Sequence, residues 1–226
     1  MDFETARHNM IEQQIRPWEV LDPDILETLS AIRREDFVPA AFRALAFTDT
    51  EIPLHIDAAG TDEVMLAPKM EARLLQALAP RKHESALEIG AGSGYMAALL
   101  AHRAREVLSL EIHPALAEFA RRNLARNATT GARVECVDGS KISQDPLRRD
   151  AQWDLIAFSG STPAVGADWL SRLKPGGRLV AIVGDAPAMK AQLVTRVGEQ
   201  SFETQTLFET VVRRLHGFPV KNRFTF

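Results

Sequence analysis

The sequence predicts an α/β fold: a seven-stranded, mostly parallel sheet with helices on both faces, an antiparallel C-terminal hairpin and an N-terminal helical extension. Three observations carry this. From Ser85 onward, short apolar runs alternate with segments of helical period, the pattern of helices layered on a parallel sheet. Gly90, Gly92 and Gly94 punctuate the passage from the first run, residues 86–89, into a helix beginning at Tyr95, which is how a nucleotide-binding βαβ unit opens. Near the end, residues 191–197 and 202–212 alternate with period two around Gly198-Glu199-Gln200-Ser201, a hairpin signal.

Taken in order, residues 2–16 read as an amphipathic helix with Met10, Ile11 and Ile15 on one side. Arg16-Pro17 ends it, because a residue before proline avoids the helical region. Asp22-Pro23 opens a second helix, with Asp22 placed to cap the free amides and Pro23 suited to the first position. Ile25, Leu26, Leu29 and Ile32 form its buried stripe, Val38-Pro39 closes it, and residues 41–47 form a short third helix. Residues 48–68 carry Pro53, Gly60 and Pro68 and show no helical or strand period; a loop of that length inside a domain is usually functional or mobile. Residues 69–78 are helical again, with Met70, Leu74, Leu75 and Leu78 apolar. Strands are then expected over 86–89, 106–110, 133–137, 153–158 and 178–183, with helices from Tyr95, over 114–127 and over 164–173, and a turn at Lys174-Pro175-Gly176-Gly177. Trp153 is placed at the sheet edge and Cys136 in a central strand as inert core.

Composition excludes several classes. A net charge of -3 leaves no broad cationic field for nucleic acid or an anionic membrane surface. Cys136 is the single cysteine, so no intramolecular disulfide can form, which fits a reducing compartment. Met1-Asp2-Phe3-Glu4 lacks the basic-then-apolar signature of a signal peptide, and no apolar run reaches the length of a membrane span. A cytoplasmic location is expected, with no nucleic-acid partner. His8, His83, His102, His113 and His216 show no metal-ligand spacing, so no metal is expected.

The glycine turn, Leu87-Glu88-Ile89-Gly90-Ala91-Gly92-Ser93-Gly94-Tyr95, has Gly-x-Gly-x-Gly spacing rather than the Gly-x-Gly-x-x-Gly of dinucleotide binders, and no lysine or arginine to meet a phosphate. It resembles the first motif of S-adenosylmethionine (SAM) methyltransferases, which implies that cofactor and a Rossmann-like core. Glu111 ends the second strand about twenty residues beyond the first glycine, where an acid accepts hydrogen bonds from a ribose diol. Asp138-Gly139 follows the third strand, where an acid meets an adenine amino group; an ordinary Asp-Gly turn is the rival reading. The candidate cofactor-binding set is Glu88, Gly90, Ala91, Gly92, Gly94, Glu111, Ile112, Asp138, Gly139 and Ser159.

With these landmarks placed, the chain resembles the protein-L-isoaspartate O-methyltransferases over most of its length. Met10-Ile11-Glu12-Gln13-Gln14-Ile15-Arg16-Pro17 is similar to that family's N-terminal signature, and Arg34-Glu35-Asp36-Phe37-Val38-Pro39 with Ala46-Phe47-Thr48-Asp49 to its next block. Trp153-Asp154-Leu155-Ile156 and Leu173-Lys174-Pro175-Gly176-Gly177 follow in order. The resemblance implies methyl transfer from SAM to the side-chain carboxylate of isoaspartyl residues in proteins or peptides, for protein repair. It also divides the single domain, 1–226, into an N-terminal helical extension with the acceptor loop, 1–80, and a cofactor-binding α/β core, 81–226.

Two blocks depart from the family pattern. Its Thr-Ile-Ser-Gln-Pro stands here as Val64-Met65-Leu66-Ala67-Pro68, so Leu66 replaces the serine close to the transferred methyl group, and Asp57, Asp62 and Glu63 precede it. Its Val-Thr-Ala-Ala stands as Phe158-Ser159-Gly160-Ser161. Two alternatives therefore stay open: a small-molecule acceptor against the apolar Val64, Met65 and Leu66, with His55 as candidate base, and a SAM-binding or interaction protein without turnover. No catalytic residue is assigned.

Overall fold

Aspartate and proline set the first helices. In the computed structural model, which describes residues 2–55 and 62–218, Asp2 accepts from the amides of Glu4 and Thr5 at the start of α1 (Phe3–Met10). The helix then widens into a π-turn over Ile11–Ile15 and ends in a 3₁₀ turn over Arg16–Trp18. A π-turn brings residues about five apart into line, so Ile15 joins Met10 and Ile11 on the buried side. Asp22 accepts from the amide of Asp24 at the start of α2 (Pro23–Ala31).

This second helix stops at Ala31, well short of Val38-Pro39. Ile32 is extended, and Arg34–Asp36 and Ala40–Leu45 form 3₁₀ turns. Breaking the helix here turns Arg34 inward, where it is fully buried. Its Nε donates to the Ala46 carbonyl at 2.9 Å and its Nη2 to the Leu66 carbonyl at 2.6 Å. Its Nη1 donates to the carboxylate of Glu71 in α3 (Pro68–Leu78), and the guanidinium lies 5.0 Å from the centroid of the Tyr95 ring. One side chain thus joins four separate stretches of chain.

The irregular stretch holds a minimal hairpin. β1 (Ile52–Pro53) pairs antiparallel with β2 (Val64–Met65), Ile52 opposite Met65, and two-residue strands are too short to show a period. Asp57 lies outside the described residues.

The main sheet comprises β3 (Ser85–Ile89), β4 (Glu106–Glu111), β5 (Ala132–Cys136), β6 (Trp153–Thr162), β7 (Leu173–Asp185), β8 (Ala188–Arg196) and β9 (Phe202–Thr210). Their order is β5-β4-β3-β6-β7-β8-β9, parallel from β5 to β7 and antiparallel at β7–β8 and β8–β9. The strand order reverses between β3 and β6, and the crevice beyond the C-terminal ends of such strands is where open α/β sheets bind ligands. Side chains alternate between two cores. Ala86, Leu155, Ala157 and Val180 pack with α3, α4 (Tyr95–Arg103), α5 (Pro114–Arg126) and the N-terminal helices; Leu87, Ile89, Ile156, Phe158 and Leu179 face the other way.

The second face is covered differently from expectation. The helix expected over 164–173 is only α6 (Ala167–Leu170), and Leu173 already begins β7. Aromatic side chains fill the space instead: Phe158 and Trp169 meet edge-on at 4.8 Å, and Phe218 packs on both. Trp153 starts a central strand and is buried in this core, not at the edge. Cys136 is exposed, because β5, not β4, is the edge strand.

Arg34→Met is expected to cost about 3–5 kcal/mol of unfolding free energy, since it strands a buried carboxylate. Urea denaturation measures this, and a loss under about 1 kcal/mol would remove Arg34 from its central place.

Candidate active site at the glycine loop

The site begins where β3 ends. Gly90, Gly92 and Gly94 have φ of +89°, +52° and +84°, a region that side-chain-bearing residues rarely adopt. The Gly90 amide donates to the Leu110 carbonyl at 2.8 Å, and the Gly92 amide to Glu111 Oε2 at 2.8 Å. A Cβ at Gly94 would stand 3.2 Å from Ala120, so this glycine serves the approach of α5.

Two spaces that share Val64, Gly90, Gly92 and Ser159 flank the turn. An outer cleft is lined by Gly90, Gly92, Glu111, Ile112, Gly139 and Ser159, six of the ten expected residues. An inner recess adds Glu88 and Ala91, and its opposite wall is Val64, Met65, Leu66 and Glu71. Gly94 and Asp138 line neither. Asp138 caps the 3₁₀ turn Gly139–Gln144: its Oδ1 accepts from the Ser140 amide at 3.1 Å and hydroxyl at 2.6 Å, and Lys141 Nζ lies 3.0 Å from Oδ2. Burial alone would raise its carboxyl, but these hydrogen bonds outweigh it and hold the group below the ordinary range. His55 is exposed, with its ring 6.3 Å from Phe42, and lines neither space.

The buried acids behave differently from one another. Glu88 sits between β4 and β6 and accepts from Ser109 Oγ at 2.6 Å and Ser159 Oγ at 2.7 Å. Burial pushes its carboxyl up to about 8, with the two hydroxyls pulling the other way, so it is largely uncharged at neutral pH. Burial also pushes Glu71 up, to about 7, against the pull of Arg34. Glu111 is raised by burial and drawn back by the amides of His113 and Gly92.

The sequence did not announce the roof. After β9, the Ser161 amide donates to Arg213 O at 2.8 Å and the Leu215 amide to Ser161 O at 2.9 Å. This lays Leu215 across the turn: a Cβ at Gly90 would stand 2.8 Å from it and one at Gly160 2.9 Å. Leu215 and His216 line the outer cleft. The departures Gly160 and Ser161 thus have a use, one making room for the crossing segment and the other anchoring it; the only signal was a glycine and a serine where the family pattern has alanines.

Among the described residues no lysine or arginine lines the outer cleft, while Glu63 and Glu111 do. The glycine backbone leaves space that a Cβ would narrow, and the carboxylates suit a cationic sulfonium donor rather than a phosphate ester. With the sheet's reversal at this point, the class is that of the SAM-dependent methyltransferases, and the cofactor is SAM. More narrowly, the chain belongs to the protein-L-isoaspartate(D-aspartate) O-methyltransferase family, whose profile matches residues 5–214. A protein-L-isoaspartate O-methyltransferase of Methanospirillum hungatei is 35% identical over 192 residues, 85% of each chain. Protein-L-isoaspartate O-methyltransferase 2 of Marinobacter nauticus is 35% identical over 203 residues, 89% of each. Among solved structures, a Plasmodium falciparum chain described as a protein-L-isoaspartate O-methyltransferase, in complex with S-adenosyl-L-homocysteine, shares the fold with a TM-score of 0.75 at 17% identity, over 95% of this chain and 98% of that one.

Glu111→Ala should weaken SAM binding by roughly 30-fold or more, the worth of about 2 kcal/mol of charge-assisted hydrogen bonding; calorimetric titration reads it, and unchanged affinity would remove the residue from the cofactor site. Glu88 gives a pH signature. Its folded carboxyl titrates near 8 and its unfolded one near 4.5. Between those values the folded chain keeps a proton the unfolded chain has lost, so stability falls as pH rises through the window. Glu88→Gln lacks this loss, and its stability relative to wild type should improve by about 1–3 kcal/mol between acidic and mildly alkaline buffer, followed by urea midpoints.

Proposed function

We propose that this chain methylates the side-chain carboxylate of isoaspartyl residues in proteins and peptides, the first step of their repair. The observation that carries the reading, beside family membership, is the placement of the acceptor loop: Arg34 holds the Leu66 carbonyl at 2.6 Å, so the β1–β2 hairpin faces the glycine turn across the inner recess. In this reading residues 1–80 form the acceptor side and 81–226 the cofactor side. Glu111 accepts from the ribose hydroxyls, Ile112 and Gly139 flank the base, and Asp138 meets the adenine amino group from the edge of its turn. SAM, when bound, supplies an electrophilic methyl carbon.

The chain's own residues then have little chemistry to perform. A substrate carboxylate with an ordinary pKa of about 4 is already ionised at neutral pH, so no general base is required. The recess must align the carboxylate and exclude water, which is catalysis by positioning. Its acids do not forbid an anionic substrate: Glu88 is held protonated by burial, and Glu71 is paired with Arg34. The methyl ester then closes to a succinimide without the enzyme, as the neighbouring backbone amide nitrogen attacks the ester carbonyl, loses its proton and expels methanol. The single free cysteine suits a reducing compartment, and the reading places the protein in the cytoplasm. No helix among the described residues is long and apolar enough to cross a membrane.

A second reading is favoured by one feature, the apolar wall of Val64, Met65 and Leu66: a small, uncharged acceptor. Transfer of labelled methyl from SAM to an isoaspartyl peptide, with the aspartyl peptide as control, separates the two. Transfer to the isoaspartyl peptide alone is expected. SAM binding at ordinary affinity with no transfer to either peptide would sink the repair reading in favour of a small acceptor.

A further inference from the structure

The roof of the outer cleft brings together three side chains that are remote in sequence. Glu63 enters from the start of the β2 segment, His113 from the end of β4, and His216 from the crossing C-terminal segment. His216 Nε2 lies 2.8 Å from Glu63 Oε1, and His113 Nε2 lies 3.8 Å from the same oxygen. The two imidazoles meet edge-on at 5.2 Å. Among the described residues this is the one group of three or more His, Cys, Asp and Glu side chains whose ligand atoms all fall within 4.8 Å of one another. His113 Nε2 is buried and has no hydrogen-bond partner, an orphaned lone pair or N–H aimed into the cluster.

We propose that Glu63, His113 and His216 form a binding site for a borderline divalent cation of the Zn²⁺ type, and that the cation clamps the roof of the cofactor cleft. The donor set is two imidazoles and one carboxylate, with a fourth position left to water. Ligand bonds of about 2.0–2.2 Å in tetrahedral geometry require donor atoms about 3.3 Å apart. The observed 2.8 and 3.8 Å to Glu63 straddle that separation and all three ligand atoms lie within 4.8 Å of one another, so side-chain adjustment without backbone movement would complete the site. Coordination also gives the orphaned His113 nitrogen a partner. The charge agrees: Glu63 and Glu111 both line the cleft, and among the described residues no lysine or arginine does. Because the three ligands belong to the acceptor loop, the cofactor strand and the crossing segment, the bound cation would tie all three across the cleft mouth and slow cofactor exchange. The inference is independent of which acceptor the enzyme uses.

The test uses the full-length chain carrying Cys136→Ser, which removes the exposed thiol as a competing ligand, after treatment with a chelator. Zn²⁺ titrated against a chromophoric chelator should bind with a stoichiometry of one and micromolar affinity or tighter. Co²⁺ should give the intense visible bands of a tetrahedral site. His216→Ala, at an exposed position, and His113→Ala should each weaken binding by about tenfold or more, with circular dichroism and melting temperature confirming the fold. Absence of stoichiometric binding, or binding unchanged in the two histidine variants combined, would overturn the site. Stopped-flow release of S-adenosylhomocysteine should be several-fold slower with Zn²⁺ and insensitive to it in His216→Ala; equal release rates with and without the cation would overturn the clamp.

Discussion

The structure turns on one buried guanidinium. Arg34 reaches the Ala46 and Leu66 carbonyls, the Glu71 carboxylate and the face of Tyr95, and it has no contact with solvent. Burying an arginine is unfavourable unless every donor finds a partner in good geometry. Meeting that requirement dictates the surroundings: α2 must stop early, the acceptor loop must offer a carbonyl, and α3 must present an acid on its inner side. The N-terminal extension is therefore the frame on which the acceptor loop is hung, and it reaches the first helix of the cofactor unit through Tyr95 and through Phe37, whose ring packs 5.4 Å from that of Tyr95.

The cofactor half is organised by a second polar group, Glu88, set in the middle strand. Its two oxygens take hydroxyl protons from the strands on either side, so β4, β3 and β6 are cross-linked where the sheet reverses. Glu111 does the same for the turn above by holding the Gly92 amide. Glu88, Glu71 and Glu111 thus serve different ends in one small volume: one structural within the sheet, one paired with Arg34, and one at the cleft wall holding the glycine turn. Burial raises all three, and their partners separate them: two serine hydroxyls for Glu88, the Arg34 guanidinium for Glu71 and two backbone amides for Glu111.

Much of this was legible in the sequence. Gly-x-Gly-x-Gly after an apolar run can be little other than a strand-to-helix turn, and the turn appears with three positive φ values. Asp22-Pro23 fixed a helix start through capping chemistry that is wholly local. Period-two alternation gave the C-terminal hairpin. The Arg34–Pro39 block marked the family, although its physical reason, a buried arginine seeking distant carbonyls, could not be seen without them. Local signals misled where long-range packing decided: α2 stops where Arg34 turns inward, and the helix expected over 164–173 is only four residues, its Trp169 covering that face together with Phe158.

By itself the sequence determined the layered α/β class, the glycine turn, the acid at the end of β4 and the family, since each is written in neighbouring residues and their period. Tertiary structure alone decided how these parts meet. It showed that Leu66 is held by its carbonyl rather than offered as a side chain alone, that Asp138 is engaged in capping its own turn, and that Gly160 and Ser161 admit a segment from the far end of the chain. It also gathered Glu63, His113 and His216 over the cleft. Contacts between residues so far apart in sequence leave no periodicity or spacing to read, because folding, not chain proximity, pays the entropy of bringing them together.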